Sequence, residues 1–113
     1  MSSVADLVEA YRETAEGWNR LRADVGAADR KFVENHRIYQ QLRESDAGRD
    51  AIAGLLTHDS IRVRGLAARH CIDSHTDEAT SVLETIVAGD GLPAITARNT
   101  LRAYAGGTLN LDW

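Results

Sequence analysis

Leu55-Leu56-Thr57-His58-Asp59-Ser60-Ile61-Arg62-Val63-Arg64-Gly65-Leu66-Ala67-Ala68 is the stretch that decides the fold. Two leucines close an apolar run. Thr57 to Ser60 then form a turn with two good N-cap candidates. Beyond the turn, Val63, Leu66, Ala67, His70 and Cys71 fall along one helical stripe. The stretch therefore predicts a short helix from about Arg49 to Leu56, a tight turn and a second helix. The small side chains of Ala67 and Ala68 let that second helix approach its neighbours closely.

The same grammar extends in both directions. Upstream, Ser3 caps a helix carrying Val4, Leu7, Val8, Tyr11, Ala15 and Trp18 at helical spacing, with Asp6, Glu9, Glu13 and Glu16 on the other face. This helix stops at Gly17 or nearer Asp24 to Gly26, since either glycine can end it. A long second helix follows, with Leu21, Val25, Ala28, Phe32, Asn35, Tyr39 and Leu42 in steps of three or four. Asn35 alone breaks its apolar stripe, so it must find hydrogen-bond partners in the interior. Downstream, Ala79, Val82, Leu83, Ile86 and Val87 mark a fifth helix, ending at Ala88-Gly89-Asp90-Gly91. Pro93 suits the first turn of a sixth, where its missing N–H leaves no bond unmade. Ala94, Ala97, Leu101 and Tyr104 form the inner stripe of that helix, and Gly106-Gly107 ends it. The tail Thr108 to Trp113 follows, and its Trp113 either docks back on the body, frays or anchors a partner. No segment alternates in the manner of a strand. The expected fold is all-α: about six helices in a single domain over residues 1–113, stacked as three antiparallel hairpins.

Composition sets outer bounds. The chain has 113 residues, 43% of them hydrophobic and 27% charged, which suits one globular domain. Net charge is −4, which counts against a general nucleic-acid coat. Cys71 is the only cysteine, so no intrachain disulfide forms and no oxidising compartment is indicated. There is no basic start with an apolar run, and no apolar stretch near the ~20 residues that span a bilayer. A cytoplasmic location without membrane attachment is expected.

The Leu55 to Ala68 stretch resembles the HEAT repeat: two leucines, an aspartate-containing turn, Val-Arg, then a small-residue pair. Ile86 to Pro93, with Ala97 and Leu101, repeats the pattern about 30 residues later without the Val-Arg pair. The whole chain is similar to a family of small bacterial HEAT-like (armadillo-type) proteins of unknown function. That likeness rests on Leu7-Val8-Glu9, Asn35-His36-Arg37-Ile38-Tyr39, Val63-Arg64 and the closing Leu101 to Leu109 with Gly107. It implies a right-handed superhelix of stacked hairpins and no established activity. Some HEAT-like proteins of this size resemble immunity proteins of bacterial toxin systems, and others resemble scaffolds.

Catalytic and metal chemistry find little footing. His70, Cys71, Asp73 and His75 have metal-ligand side chains, but a core thiol beside turn residues explains them, and no metal or cofactor is expected. Cys71 as a nucleophile needs an adjacent base, and neighbouring helical positions such as His70 point apart. His58-Asp59 falls in the repeat's turn, where Asp59 caps a helix. Arg64 is expected to bond turn carboxylates such as Asp59 or Asp90 and lock adjacent hairpins. The chain is read as a non-enzyme.

Charge distribution says more. Helices one, three and five together carry −6, and helices two, four and six carry +5. In solenoids the second helix of each hairpin lines the concave face. Arg30, Arg37, Arg62, Arg69, Arg98 and Arg102 lie off their apolar stripes and are expected to form a basic ridge there, though such runs also read as a plain solvated face. The expected function is a protein-binding module that grips an acidic partner through Arg62, Arg69, Arg98 and Arg102, with Arg37 contributing. The alternative is a nucleic-acid binder using the same ridge, against which the net charge weighs. Open solenoid ends also leave apolar surface through which copies can associate.

Overall fold

The computed structural model describes residues 3–20 and 25–113, and of residues 18–20, 25 and 27–29 the main chain only. The described residues form six α-helices and no strand. These are α1 (Val4–Arg20), α2 (Val25–Leu42), α3 (Asp46–Gly54), α4 (Ile61–Cys71), α5 (Thr76–Val87) and α6 (Gly91–Ala105). A single 3₁₀ turn, Leu55–Thr57, follows α3. The all-α expectation holds. Leu21 and the side chains of Trp18, Val25 and Ala28, which the spacing placed on apolar stripes, lie outside what is described.

Ser3 caps α1 as its position predicts: its Oγ accepts the N–H of Asp6 at 3.1 Å. Of the two possible stops, Gly17 is passed, and the helix runs on to Arg20. A mid-helix glycine costs about 1 kcal/mol relative to alanine, but here the aliphatic stem of Lys31 on α2 lies over the position a Cβ would take. The interhelical packing therefore supports the helix across it. Asn35 is buried between the two helices and finds its partners there. Its Nδ2 donates to the main-chain oxygen of Tyr11 at 3.0 Å and to Thr14 Oγ1 at 3.1 Å. Thr14 in turn donates to the main chain of its own helix. This polar lock fixes the register of α1 on α2.

α3 begins three residues earlier than the spacing suggests. Ser45 supplies the cap, its Oγ accepting the N–H of Gly48 at 3.0 Å. The first turn of α3 is packed against the end of α2 so closely that a methyl group at Gly48 would overlap the Leu42 carbonyl. Apolar periodicity could not place this start, because the cap and the glycine set it.

α4 is the hub, packed on α1, α3, α5 and α6. Val63, Leu66, Ala67, Ala68, His70, Cys71 and the following Ile72 are all buried. Ala67 and Ala68 have no exposed surface, consistent with close approach on more than one side. The core draws on all six helices through Tyr11, Ile38, Ile52, Leu66, Leu83 and Ala97, and continues to Leu111 beyond α6. The radius of gyration is 13.0 Å, the value expected of a compact body of this length.

The hairpin turn departs from expectation in its polar detail. Ser60 is the N-cap residue of α4, but its hydroxyl is buried and accepts nothing. No side chain caps the helix; the ring of His58 instead braces the turn, Nδ1 accepting the Ser60 N–H at 3.0 Å. Arg64 binds the turn's main-chain oxygens rather than a carboxylate, donating to His58 O at 2.8 Å and Asp59 O at 2.9 Å. Carbonyls of the turn are closer to α4 than the exposed Asp59 side chain, so the guanidinium reads backbone.

Candidate binding surfaces

The six arginines predicted to form one ridge divide into a half-buried pair, Arg62 and Arg69, and four exposed ones, Arg30, Arg37, Arg98 and Arg102. Arg62 and Arg69 stand two turns apart on α4, at the seam where α4 meets α1 and α6, and both are half-buried. Arg62 pairs with Glu16 of α1 at 3.6 Å. Arg69 reaches Thr100 Oγ1 of α6 at 3.4 Å, a long and weak bond. The Nε atoms of both arginines are buried without a partner. Burial holds the Arg69 guanidinium below its ordinary value, and Tyr11 and Tyr39 are the groups that offset this, not a carboxylate. Arg98 and Arg102 are exposed and one turn apart on α6, on either side of Thr100 in sequence. Arg37 is exposed on α2, beside Arg30, Val33 and Glu34 at a shallow depression. The expectation of an open ridge is thus corrected for Arg62 and Arg69. Because α4 is packed on four helices, positions off its main apolar stripe also meet neighbours, and their aliphatic stems pack. Between α4 and α6, a gap of about 20 Å³ is bordered by Arg62, Gly65, Thr96 and Thr100, room for one water-sized group.

A second constellation was not anticipated. Tyr11, His36, Tyr39 and His70 form a buried polar-aromatic cluster where α1, α2 and α4 meet. His70 stacks on Tyr39, ring centroids 4.1 Å apart and planes 6° from parallel. Its Nδ1 is 2.5 Å from the Tyr11 hydroxyl. Burial raises Tyr11 well above the usual phenol value and holds His70 well below the usual imidazole value. Tyr11 therefore keeps its proton and shares a buried hydrogen bond with a neutral imidazole. The sequence signal was weak: His70 was read on an apolar stripe, and nothing local pairs it with a tyrosine 59 residues away.

Segment 108–113 closes over this cluster. It leaves α6 through Gly106 and Gly107, where Gly107 has φ +71°, a left-handed conformation that glycine takes at little cost. The N–H groups of Thr108 and Leu109 both return to Ala103 O, at 2.8 and 3.1 Å. Leu111 is buried in the core. The segment then lies antiparallel to α2. Arg43 Nη1 donates to Leu111 O at 3.1 Å and pairs with Asp112 at 2.7 Å. One residue on, Gln40 Nε2 donates to the Trp113 main-chain oxygen at 2.8 Å. The Trp113 ring stacks on His36 at 3.7 Å and on Phe32 at 5.9 Å. Of the three fates open to Trp113, docking is the one observed.

His70, Cys71, Asp73 and His75 do not converge. His70 is turned to Tyr11, His75 Nδ1 bonds Ser74 Oγ at 2.9 Å, and Asp73 is exposed. Among the described residues no three His, Cys, Asp or Glu side chains are placed to hold a metal ion. Burial pushes the Cys71 thiol up to about 12, so it stays protonated at neutral pH. A cleft of about 190 Å³ beside it is lined by Tyr39, Arg43, Arg49, His70, Asp73 and Ser74 among others. Its two cations are already engaged, Arg43 by the docked segment and Arg49 by Asp46 and the Arg43 carbonyl. Among the described residues no helix is long and apolar enough to cross a membrane. Comparison with protein-family models, with curated proteins and with solved structures found no match to this chain.

Proposed function

We propose that this chain is a non-enzymatic, HEAT-like binding module that takes an acidic protein partner along the α4–α6 seam. The observation that carries the reading is Arg69. It is a half-buried guanidinium, weakly bonded to Thr100, and no carboxylate among the described residues pairs with it. Buried charges are normally paired, since leaving water costs several kcal/mol per ion. An Arg left in that state on a partly open seam is suited to an anion from outside, and its planar fork matches a carboxylate. Arg98 and Arg102 are exposed on α6 two residues to either side of Thr100, hence on the opposite face of that helix, where they add positive field rather than contacts at the seam. Arg62 adds a second donor with an unused Nε. Arg37 lies on α2 and contributes at a separate position. An immunity-type or scaffold role in the cytoplasm is the concrete form of this reading.

The test is affinity purification of the tagged chain from its native host, read by mass spectrometry, beside two variants. Arg69→Met removes the charge and keeps the volume. The double variant Arg98→Glu, Arg102→Glu reverses the exposed pair. A stoichiometric acidic partner recovered with the unaltered chain and lost with both variants supports the module. A partner retained by both variants, or none recovered, overturns it.

A further inference from the structure

α2 buries two stripes. Asn35, Ile38, Tyr39 and Leu42 face the other helices. The stripe Phe32, His36, Gln40 and Arg43 is covered by segment 108–113. The contacts this second stripe makes are those of a receptor reading an extended peptide. Gln40 and Arg43 take main-chain oxygens, which any sequence offers. Arg43 also takes a carboxylate, while Phe32 and His36 offer flat faces to one aromatic ring. A buried slot takes Leu111.

The present occupant fits imperfectly. Trp113 is 45% exposed although its ring is stacked on His36. The Asp112 side chain is 79% exposed although it pairs with Arg43. His36 is 2% exposed, and neither of its ring nitrogens has a hydrogen-bond partner. The Trp113 main chain lies near enough to favour the charged imidazole, but without hydrogen-bond geometry, and burial outweighs it. The segment thus seals His36 from water without satisfying it. It joins α6 through Gly106 and Gly107. That covalent link adds a high effective concentration to the contacts the segment makes.

We propose that the Phe32–His36–Gln40–Arg43 stripe is a peptide-binding groove, that segment 108–113 is its built-in cover, and that its incoming ligand is an extended partner segment of the pattern leucine, acid, aromatic. The acid pairs with Arg43, the leucine fills the Leu111 slot, and the aromatic residue lies on His36. This inference rests on residues of α2 and not on the arginines of the α4–α6 seam, so either can fail without the other.

The probe is a fluorescently labelled peptide of residues 106–113, Gly-Gly-Thr-Leu-Asn-Leu-Asp-Trp. It is titrated into the full-length chain and into the full-length double variant Asp112→Lys, Trp113→Ala, whose cover is weakened, with circular dichroism as the check on folding. Saturable binding to the weakened variant, about tenfold tighter than to the unaltered chain, is expected. That binding is lost when Arg43→Ala is added, and when the peptide's Asp-Trp pair becomes Ala-Ala. Absence of binding to the folded variant, or binding indifferent to Arg43, overturns the proposal. If the double variant does not fold, the unaltered chain is titrated with excess peptide and followed by NMR at His36 and Gln40. Shifts at both support the groove and their absence overturns it. A dimer of the unaltered chain that Arg43→Ala disperses also overturns it, by showing that the ligand is the cover of a second copy.

Discussion

The imidazole of His36 lies flat under the indole of Trp113, ring centroids 3.7 Å apart and planes 7° from parallel. The two residues are far apart in sequence, and their contact turns an irregular end segment into part of the body.

The segment's hold should be concentrated in its buried leucine rather than in its exposed tryptophan. Leu111→Ala removes a core side chain and is expected to destabilise by about 2–4 kcal/mol. Trp113→Ala loses its stacking on His36 and Phe32 at a half-exposed site and is expected to cost about 1 kcal/mol. Urea unfolding of the two variants checks the order, and a larger loss for Trp113→Ala would contradict it.

Stability should fall in mild acid. Burial holds His70 well below its ordinary value, and His36 is lowered for the same reason. In the unfolded chain both titrate near the ordinary value of about 6.5. Between the folded and unfolded values the unfolded chain binds protons that the folded chain does not, so stability rises with pH there. The contribution is fully present above about pH 6.5 and is lost as pH falls toward the folded values, with a slope approaching about 1.4 kcal/mol per pH unit for the fully buried His70. Denaturant unfolding from about pH 7.5 to about pH 5.5 measures this. A flat profile would remove both histidines as its source.

Tyr11→Phe keeps the packing but leaves His70 Nδ1 without its hydrogen-bond partner at a buried site. The expected loss is about 1–3 kcal/mol, the range for an orphaned buried polar group. Calorimetry or urea unfolding reads it directly. No loss would mean that water takes over the bond.

Gly48→Ala should be among the most damaging single-methyl changes in the chain. The added carbon overlaps the Leu42 carbonyl, a main-chain atom that cannot rotate away. About 3 kcal/mol of destabilisation is expected, at the upper end for overpacking. Gly54→Ala is the control: a Cβ there meets nothing within 4 Å, and the helical backbone of this last residue of α3, φ −60°, is one alanine takes readily.

Arg69→Met should leave stability unchanged or raise it by about 1 kcal/mol, because a half-buried charge without a carboxylate is replaced by an apolar chain of similar length. Thermal unfolding checks this. A large loss would show that Arg69 holds α4 to α6 and would withdraw the main support for partner binding.

The apolar stripes of α4, α5 and α6, the polar lock at Asn35 and the stop at Gly106-Gly107 were legible in the sequence. Each depends on spacing within one helix or on one residue's local chemistry. The start of α3 was not, since Ser45 and the tight approach at Gly48 set it without apolar periodicity. Nor was the division of the arginines. Arg69 and Arg98 both read as off-stripe cations, and only the packing of α4 on four helices distinguishes the half-buried one from the exposed one.

By itself, then, the sequence determined that this chain is all-α, that the described residues form six helices, and where the main apolar stripes of most of them run. Helical periodicity and turn residues encode these within a few neighbouring positions. The tertiary structure alone decided that His70 meets Tyr11 and Tyr39, that Arg69 meets no carboxylate among the described residues, and that segment 108–113 seals α2. These depend on side chains brought together from distant positions by close packing, and no local pattern carries that information.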